Sequence, residues 1–153
     1  VKLEYQIIIT YPNFDPGFEL IINKIKKIKL KYKNIKIYKH LGRLNYHKIL
    51  YFIGKSKNGA CVGNSSSGIK EAIIFNSPSI NIGDRQKSRL KPDNVIDVKA
   101  DCKKIIKTIK ENLYVKTKRI QNPYKLTKEF YGIDKKIIKL IKKKNFYNKK
   151  CTY

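Results

Sequence analysis

The chain is poor in several residue types. Its 153 residues include three cysteines (Cys61, Cys102, Cys151), three alanines, four arginines, eleven acidic residues and no methionine. Three thiols without a CxxC spacing do not make a disulfide framework and read as free thiols of a reducing compartment. The two histidines, His40 and His47, stand far from any cysteine pair, so no zinc pattern forms and no metal site is expected. No apolar run reaches the roughly 18–20 residues of a membrane span; no secretory leader and a cytoplasmic location without membrane contact are expected. With no Met even at position 1, the chain is expected to be processed or a piece of something longer. Collagen, coiled coil, membrane protein and disulfide-stapled miniprotein are excluded, and 41% hydrophobic residues exclude a disordered chain. The length suits one ordinary domain.

What the chain does have is lysine. Lys plus Arg total 36 against 11 Asp plus Glu, for a net charge of +25. A pI near 10 is the usual footprint of phosphate-backbone binding. The 32 Lys stand beside only 4 Arg, and they come with 25 Ile, 13 Asn and 11 Tyr, the residues AT-rich codons spell. A surface selected to grip phosphates bidentately would hold more Arg. The lysines are spread over nearly every predicted helix, so they read as a solvated surface, and nucleic acid is not the expected partner.

Strands and helices alternate along the chain. Tyr5 to Thr10 (YQIIIT) reads as a buried parallel strand stopped by Pro12. Gly17 to Lys33 places Phe18, Ile21, Ile22, Ile25, Ile28 and Tyr32 at helical spacing. Asn34 to Lys39 alternates as a strand. Asn45 to Phe52 reads as a short helix, with a loop through Asn58. Ala60 to Val62 is a small strand running into Gly63-Asn64-Ser65-Ser66-Ser67-Gly68, and Ile69 to Phe75 is a helix closed by Pro78. Ser79 to Ile82 and Val95 to Val98 are strands. Asp101 to Leu113 is helical, as is about Ile133 to Lys144, where Lys142-Lys143-Lys144 suits the C-terminal dipole. Residues 146–153 form a basic tail. The order predicts an α/β domain, Rossmann-like and three-layered, with an open, mostly parallel sheet over residues 1–145.

Ligands of such sheets bind at the carboxyl ends of the strands. The unusual residues fall there: Asn13 and Asp15 after the first strand, His40 and Leu41 after the second, GNSSSG after the third, and Gly83-Asp84-Arg85-Gln86 after the fourth. Small residues between a strand and a helix let a ligand approach the backbone, and helix-terminal N–H groups with three hydroxyls suit phosphate oxygens. An ordinary serine N-cap is the plainer alternative. The hexapeptide is neither a P-loop nor a GxGxxG turn. Glu71, four residues past Ser67, either complements the helix dipole or binds paired ribose hydroxyls. Arg85 adds a charge that phosphates would need. His40 reads as a loop hydrogen-bonding residue, His47 as a surface helix residue, and Cys61 as a small core residue.

GNSSSGIKEA, PSINIGDRQKSRL and NVIDV, preceded by ITYPNFDPG and KIYKHLGRLNY and followed by NPY at Asn122 to Tyr124, resemble the hydrolysing UDP-N-acetylglucosamine 2-epimerases of sialic and related nonulosonic acid synthesis. The resemblance covers about Tyr5 to Lys143. It implies the C-terminal half of a two-domain fold like that of the GT-B glycosyltransferases, with the N-terminal catalytic half absent. It also implies that Ser65, Ser66, Ser67 and Gly68 hold the diphosphate with Arg85 facing it. Glu71 would bind the ribose, His40 and Leu41 would frame the uracil, and Asn13 and Asp15 would approach the sugar. The implied reaction removes the C2 proton, expels UDP through a glycal-like intermediate and adds water to give N-acetylmannosamine, without metal or nicotinamide.

The implied partners are UDP-N-acetylglucosamine or a related UDP-sugar, the missing N-terminal domain and, within the family, a second copy of the chain. The family's acid–base carboxylates and histidine have no match here, since neither His40 nor His47 sits in that motif. The catalytic residues are therefore unassigned, and the chain alone is expected to be inactive. Leu44 to Asn58 is longer than usual for the family, and Lys125-Leu126-Thr127 replaces a Gly-rich turn. A glycosyltransferase-like UDP-sugar domain and a basic nucleic-acid-binding module are the alternative functions.

Overall fold

A computed structural model describes residues 5–56, 58–113 and 122–123. The expected helix at Ile133 to Lys144, the tail at 146–153, Lys125-Leu126-Thr127 and Cys151 lie outside the described residues.

Short Ile- and Val-rich runs become strands that pair in parallel. β1 (Ile7–Thr10) pairs with β2 (Ile35–Tyr38), Ile7 opposite Ile35 and Ile9 opposite Ile37. β4 (Ser79–Ile82) runs between β3 (Cys61–Gly63) and β5 (Val95–Val98). The expected single sheet is instead two ladders, β1-β2 and β3-β4-β5. In both ladders every pairing is parallel, and helices separate β1 from β2 and β3 from β4, as in βαβ units. β1 also differs from a strand buried on both faces. Ile7 and Ile9 turn inward while Ile8 and Thr10 are exposed.

The helices follow the apolar spacing. α1 (Phe18–Lys31) starts after Gly17, which sits at a φ of 86° that L side chains rarely adopt. α2 runs from Gly42 to Ser56, well beyond the expected Asn45 to Phe52. The helix continues through Gly54 because α2 lies against the backbone of Phe75 and Asn76, where a β-carbon would not fit. The expected helix at Ile69 to Phe75 is split into α3 (Ser67–Lys70) and a 3-10 turn at Ala72–Phe75, ended by Asn76 in the left-handed region. The split keeps Ile69, Ala72 and Ile73 on one buried face. α4 (Cys102–Asn112) is capped by Asp101, whose carboxylate accepts the Lys104 N–H at 2.8 Å.

The core gathers Leu50 of α2, Ile69, Ala72 and Ile73, Ile80 of β4, Val98 of β5 and Leu113. Two polar ties cross it. The buried Ser77 hydroxyl donates to the Leu50 carbonyl, and Asn94 donates to the Ser77 carbonyl at 2.6 Å. α2, which follows the first ladder, is thereby fixed to the segment that feeds the second. The result is an α/β fold with parallel sheets, Rossmann-like in its strand–helix alternation. Among the described residues no helix is long and apolar enough to cross a membrane.

Candidate functional site

The ends of β1 and β2, the first turns of α2, and α3 enclose an open cleft of about 640 Å³. Thr10 and Tyr11 come from the end of β1, and Lys39, His40 and Leu41 from the turn after β2. Gly42, Arg43, Tyr46 and His47 come from α2, and Ser67, Glu71 and Ile74 from α3 and its extension. Of the residues singled out in the sequence, His40, Leu41, Ser67 and Glu71 therefore share one cavity. Ser65 is joined to it through Ser67, the two hydroxyls lying 3.0 Å apart.

The serine loop is held from both sides. The Tyr46 hydroxyl lies 2.9 Å from the Ser67 hydroxyl and 3.7 Å from the Cys61 thiol. Gln86, buried after β4, donates to the Asn64 carbonyl at 2.9 Å. Gly68 is buried under β3 and β4, where an added Cβ would stand 2.8 Å from Ser79 Oγ. The missing Cβ lets α3 lie close on the sheet, while the Gly68 N–H is held locally by the Ser65 carbonyl at 3.2 Å. Glu71 sits where α3 passes into the 3-10 turn, and its Oε2 lies 2.7 Å from His47 Nε2. His47 is thus a cleft residue with an acidic partner, which corrects its reading as a surface helix residue.

Arg85 lies outside this lining. Its guanidinium is 3.6 Å from the Asp15 carboxylate, and both side chains are more than half exposed. The contact brings the loop after β4 beside the loop after β1, at the same strand edge. Asn13 is exposed on that loop. The adjacent Phe14 is 89% exposed and meets Phe18 edge to face at 5.1 Å.

Residues 1–142 match the family described as UDP-N-acetylglucosamine 2-epimerase. The chain belongs to this family. It is similar, at 38% identity over 71% of its length, to a UDP-N,N'-diacetylbacillosamine 2-epimerase (hydrolyzing) of Legionella pneumophila, of which it covers 27%. At 41% identity over 60% of its length it is similar to a GDP/UDP-N,N'-diacetylbacillosamine 2-epimerase (hydrolyzing) of Campylobacter jejuni, covering 23% of it. A UDP-N-acetylglucosamine 2-epimerase of Neisseria meningitidis is 35% identical over 69% of this chain and is covered to 26%. The chain thus spans about a quarter of the length of these curated relatives.

In this epimerase-family chain, Tyr46 and His47 are cleft residues outside the candidate set that the sequence offers, as are Thr10, Tyr11, Lys39, Arg43 and Ile74. For Tyr46 and His47 the signal was present, since both lie in LNYH at the start of a helix that follows a strand end. Their pairing with Ser67 and Glu71 depends on how α2 lies across α3.

Burial pushes the Tyr46 hydroxyl well above its ordinary value, with the neighbouring Cys61 thiol adding to the rise. Burial likewise raises the Cys61 thiol, against a lowering by its contact with Tyr46. For both groups the folded state binds its proton more tightly. Their stabilisation is full below the ordinary values of 9.0 and 10.0 and is lost as the pH rises through the raised ones. The same shift keeps Cys61 protonated and unreactive near neutrality, whereas Cys102 is exposed. Iodoacetamide at pH 7.5 is expected to modify Cys102 at least tenfold faster than Cys61, read by peptide mass mapping. Equal rates would show that the thiol is not shielded.

Proposed function

We propose that this chain is the UDP-binding part of a hydrolysing 2-epimerase acting on a UDP-linked N-acetylated sugar, UDP-N-acetylglucosamine or UDP-N,N'-diacetylbacillosamine. The observation that carries the reading is the meeting of Ser67, Glu71, His40 and Leu41 in one cleft at the ends of parallel strands. Each of these parts has a fitting task. The linked hydroxyls of Ser65 and Ser67, with Ser66 between them, offer donors to the diphosphate. Glu71 offers a carboxylate to the ribose hydroxyls, and the turn at His40 and Leu41 offers backbone and an apolar face to uracil. Arg85, Asn13 and Asp15 stand at the same edge, where the diphosphate and the sugar would continue. Family membership and the words "hydrolyzing" and "2-epimerase" in the relatives' names support the reaction class. That reaction takes the C2 proton, releases UDP and adds water to the resulting glycal.

A calorimetric titration tests the reading. UDP is expected to bind with a Kd of roughly 0.1–1 mM, equivalent to about −5.5 to −4 kcal/mol. ATP is the necessary comparison, because a chain of net charge +25 attracts anions unspecifically. At about 0.15 M salt, where exposed charges are screened beyond about 8 Å, UDP should bind several-fold tighter than ATP. If ATP binds as well as UDP, the cleft is only a basic patch. A binding constant that falls steeply with salt for single-stranded DNA would favour the nucleic-acid reading instead.

A further inference from the structure

We propose that His47 is the residue that positions Glu71 for the nucleotide's ribose, a role that rests on the nucleotide-binding reading above. The two side chains come from different elements, 24 residues apart, and meet at 2.7 Å between Nε2 and Oε2. The His47 ring is also packed against Phe75, centroids 5.2 Å apart. It is the drier partner, 24% exposed against 37% for Glu71. The imidazole is therefore wedged in place, and the carboxylate is the part a ligand in the cleft can reach.

The chemistry of the pair follows from this asymmetry. A carboxylate offers about four lone-pair sites. His47 takes one of them on Oε2, which leaves Oε1 wholly available to the neighbouring hydroxyls of a ribose. The contact requires a hydrogen on Nε2, which both the Nε2–H tautomer and the imidazolium provide. A free glutamate side chain loses rotamer freedom when a ligand fixes it. Here the ordering is made by the fold before the ligand arrives, so affinity gains by preorganisation. Tyr46, the preceding residue, holds Ser67 in the same way. One turn of α2 thus braces both the hydroxyl and the carboxylate that face the cleft.

The full chain and the variants His47→Leu, His47→Asn, His47→Gln and Glu71→Gln are titrated with UDP, 2′-deoxy-UDP and inorganic diphosphate, each variant first checked by thermal unfolding. The parent should prefer UDP over the deoxy nucleotide. His47→Leu should weaken UDP roughly three- to tenfold, erode that preference and leave diphosphate unchanged. His47→Asn, polar but too short to reach Glu71, should match Leu and stands in for it should Leu not fold. His47→Gln, whose amide can donate to Oε2, should keep most of the preference. A parental preference retained in both Leu and Asn variants but lost in Glu71→Gln overturns the role of His47 alone. Equal losses for UDP and diphosphate also overturn it, since they report local collapse. A parent that does not distinguish UDP from 2′-deoxy-UDP and diphosphate overturns the nucleotide reading, and the His47 role with it.

Discussion

Gly54→Ala is expected to lower the stability of the chain by about 2–3 kcal/mol, the largest loss from a methyl group added at any of the described glycines. In an isolated helix the substitution would gain about 1 kcal/mol from helix propensity. The site does not allow that gain. An alanine Cβ would stand 1.8 Å from the Phe75 carbonyl oxygen, 3.0 Å from its carbon and 3.3 Å from the Asn76 carbonyl carbon. These are backbone atoms and have no rotamer to retreat into, so α2 or the 3-10 turn must move bodily. Overpacking of this kind costs about 1–3 kcal/mol and sometimes more, and here it also strains the Ser77 hydroxyl bond to the Leu50 carbonyl. The reference is Gly59→Ala, whose Cβ would meet only the Ile53 side chain at 3.3 Å and should cost little. Urea midpoints of the two variants check the expectation. If Gly54→Ala unfolds with the parental midpoint, α2 does not lie on the Phe75 backbone.

The same glycine explains what could be read from the sequence and what could not. β1, β2, β4 and β5 are legible because Ile- and Val-rich stretches bounded by polar residues leave little alternative. Whether such a run is buried on one face or two is not legible, since three consecutive isoleucines fit both cases. β1 turned out to expose Ile8. The C-terminal end of α2 is not legible, because Gly54-Lys55-Ser56 looks like a loop by local propensity. A contact across the fold, invisible to any window of sequence, keeps it helical. Ser67 and Glu71 were legible as candidates from their place after a strand, but their partners Tyr46 and His47 were not, because pairing through space depends on the lie of α2. Arg85 and Asp15 each stand after a strand in the sequence, and their meeting at 3.6 Å is a result of the fold alone.

That meeting also sets the size of the Arg85 effect and leads to the expected division between binding and turnover. Arg85 is about half exposed and already shares its charge with Asp15, so its contribution to a bound diphosphate is screened. Arg85→Ala should weaken UDP by about 1 kcal/mol, the size of an ordinary hydrogen bond and less than that of a well-desolvated one to a charged group. Arg85→Lys should recover only part of that, because an ammonium replaces a planar fork. Turnover is expected to differ in kind. Removing a proton from a sugar carbon requires a base held against it. The resemblance implies an acid–base set that no residue here is expected to supply, and in the cleft His47 is already engaged with Glu71. Incubated with UDP-N-acetylglucosamine or UDP-N,N'-diacetylbacillosamine, the chain should therefore release no UDP above a Glu71→Ala control, even at concentrations that saturate UDP binding. Ion-exchange chromatography of the nucleotides reads the outcome. Steady UDP release by the parent, absent from the control, would place a catalytic base within these residues and make His47 the first candidate to remove.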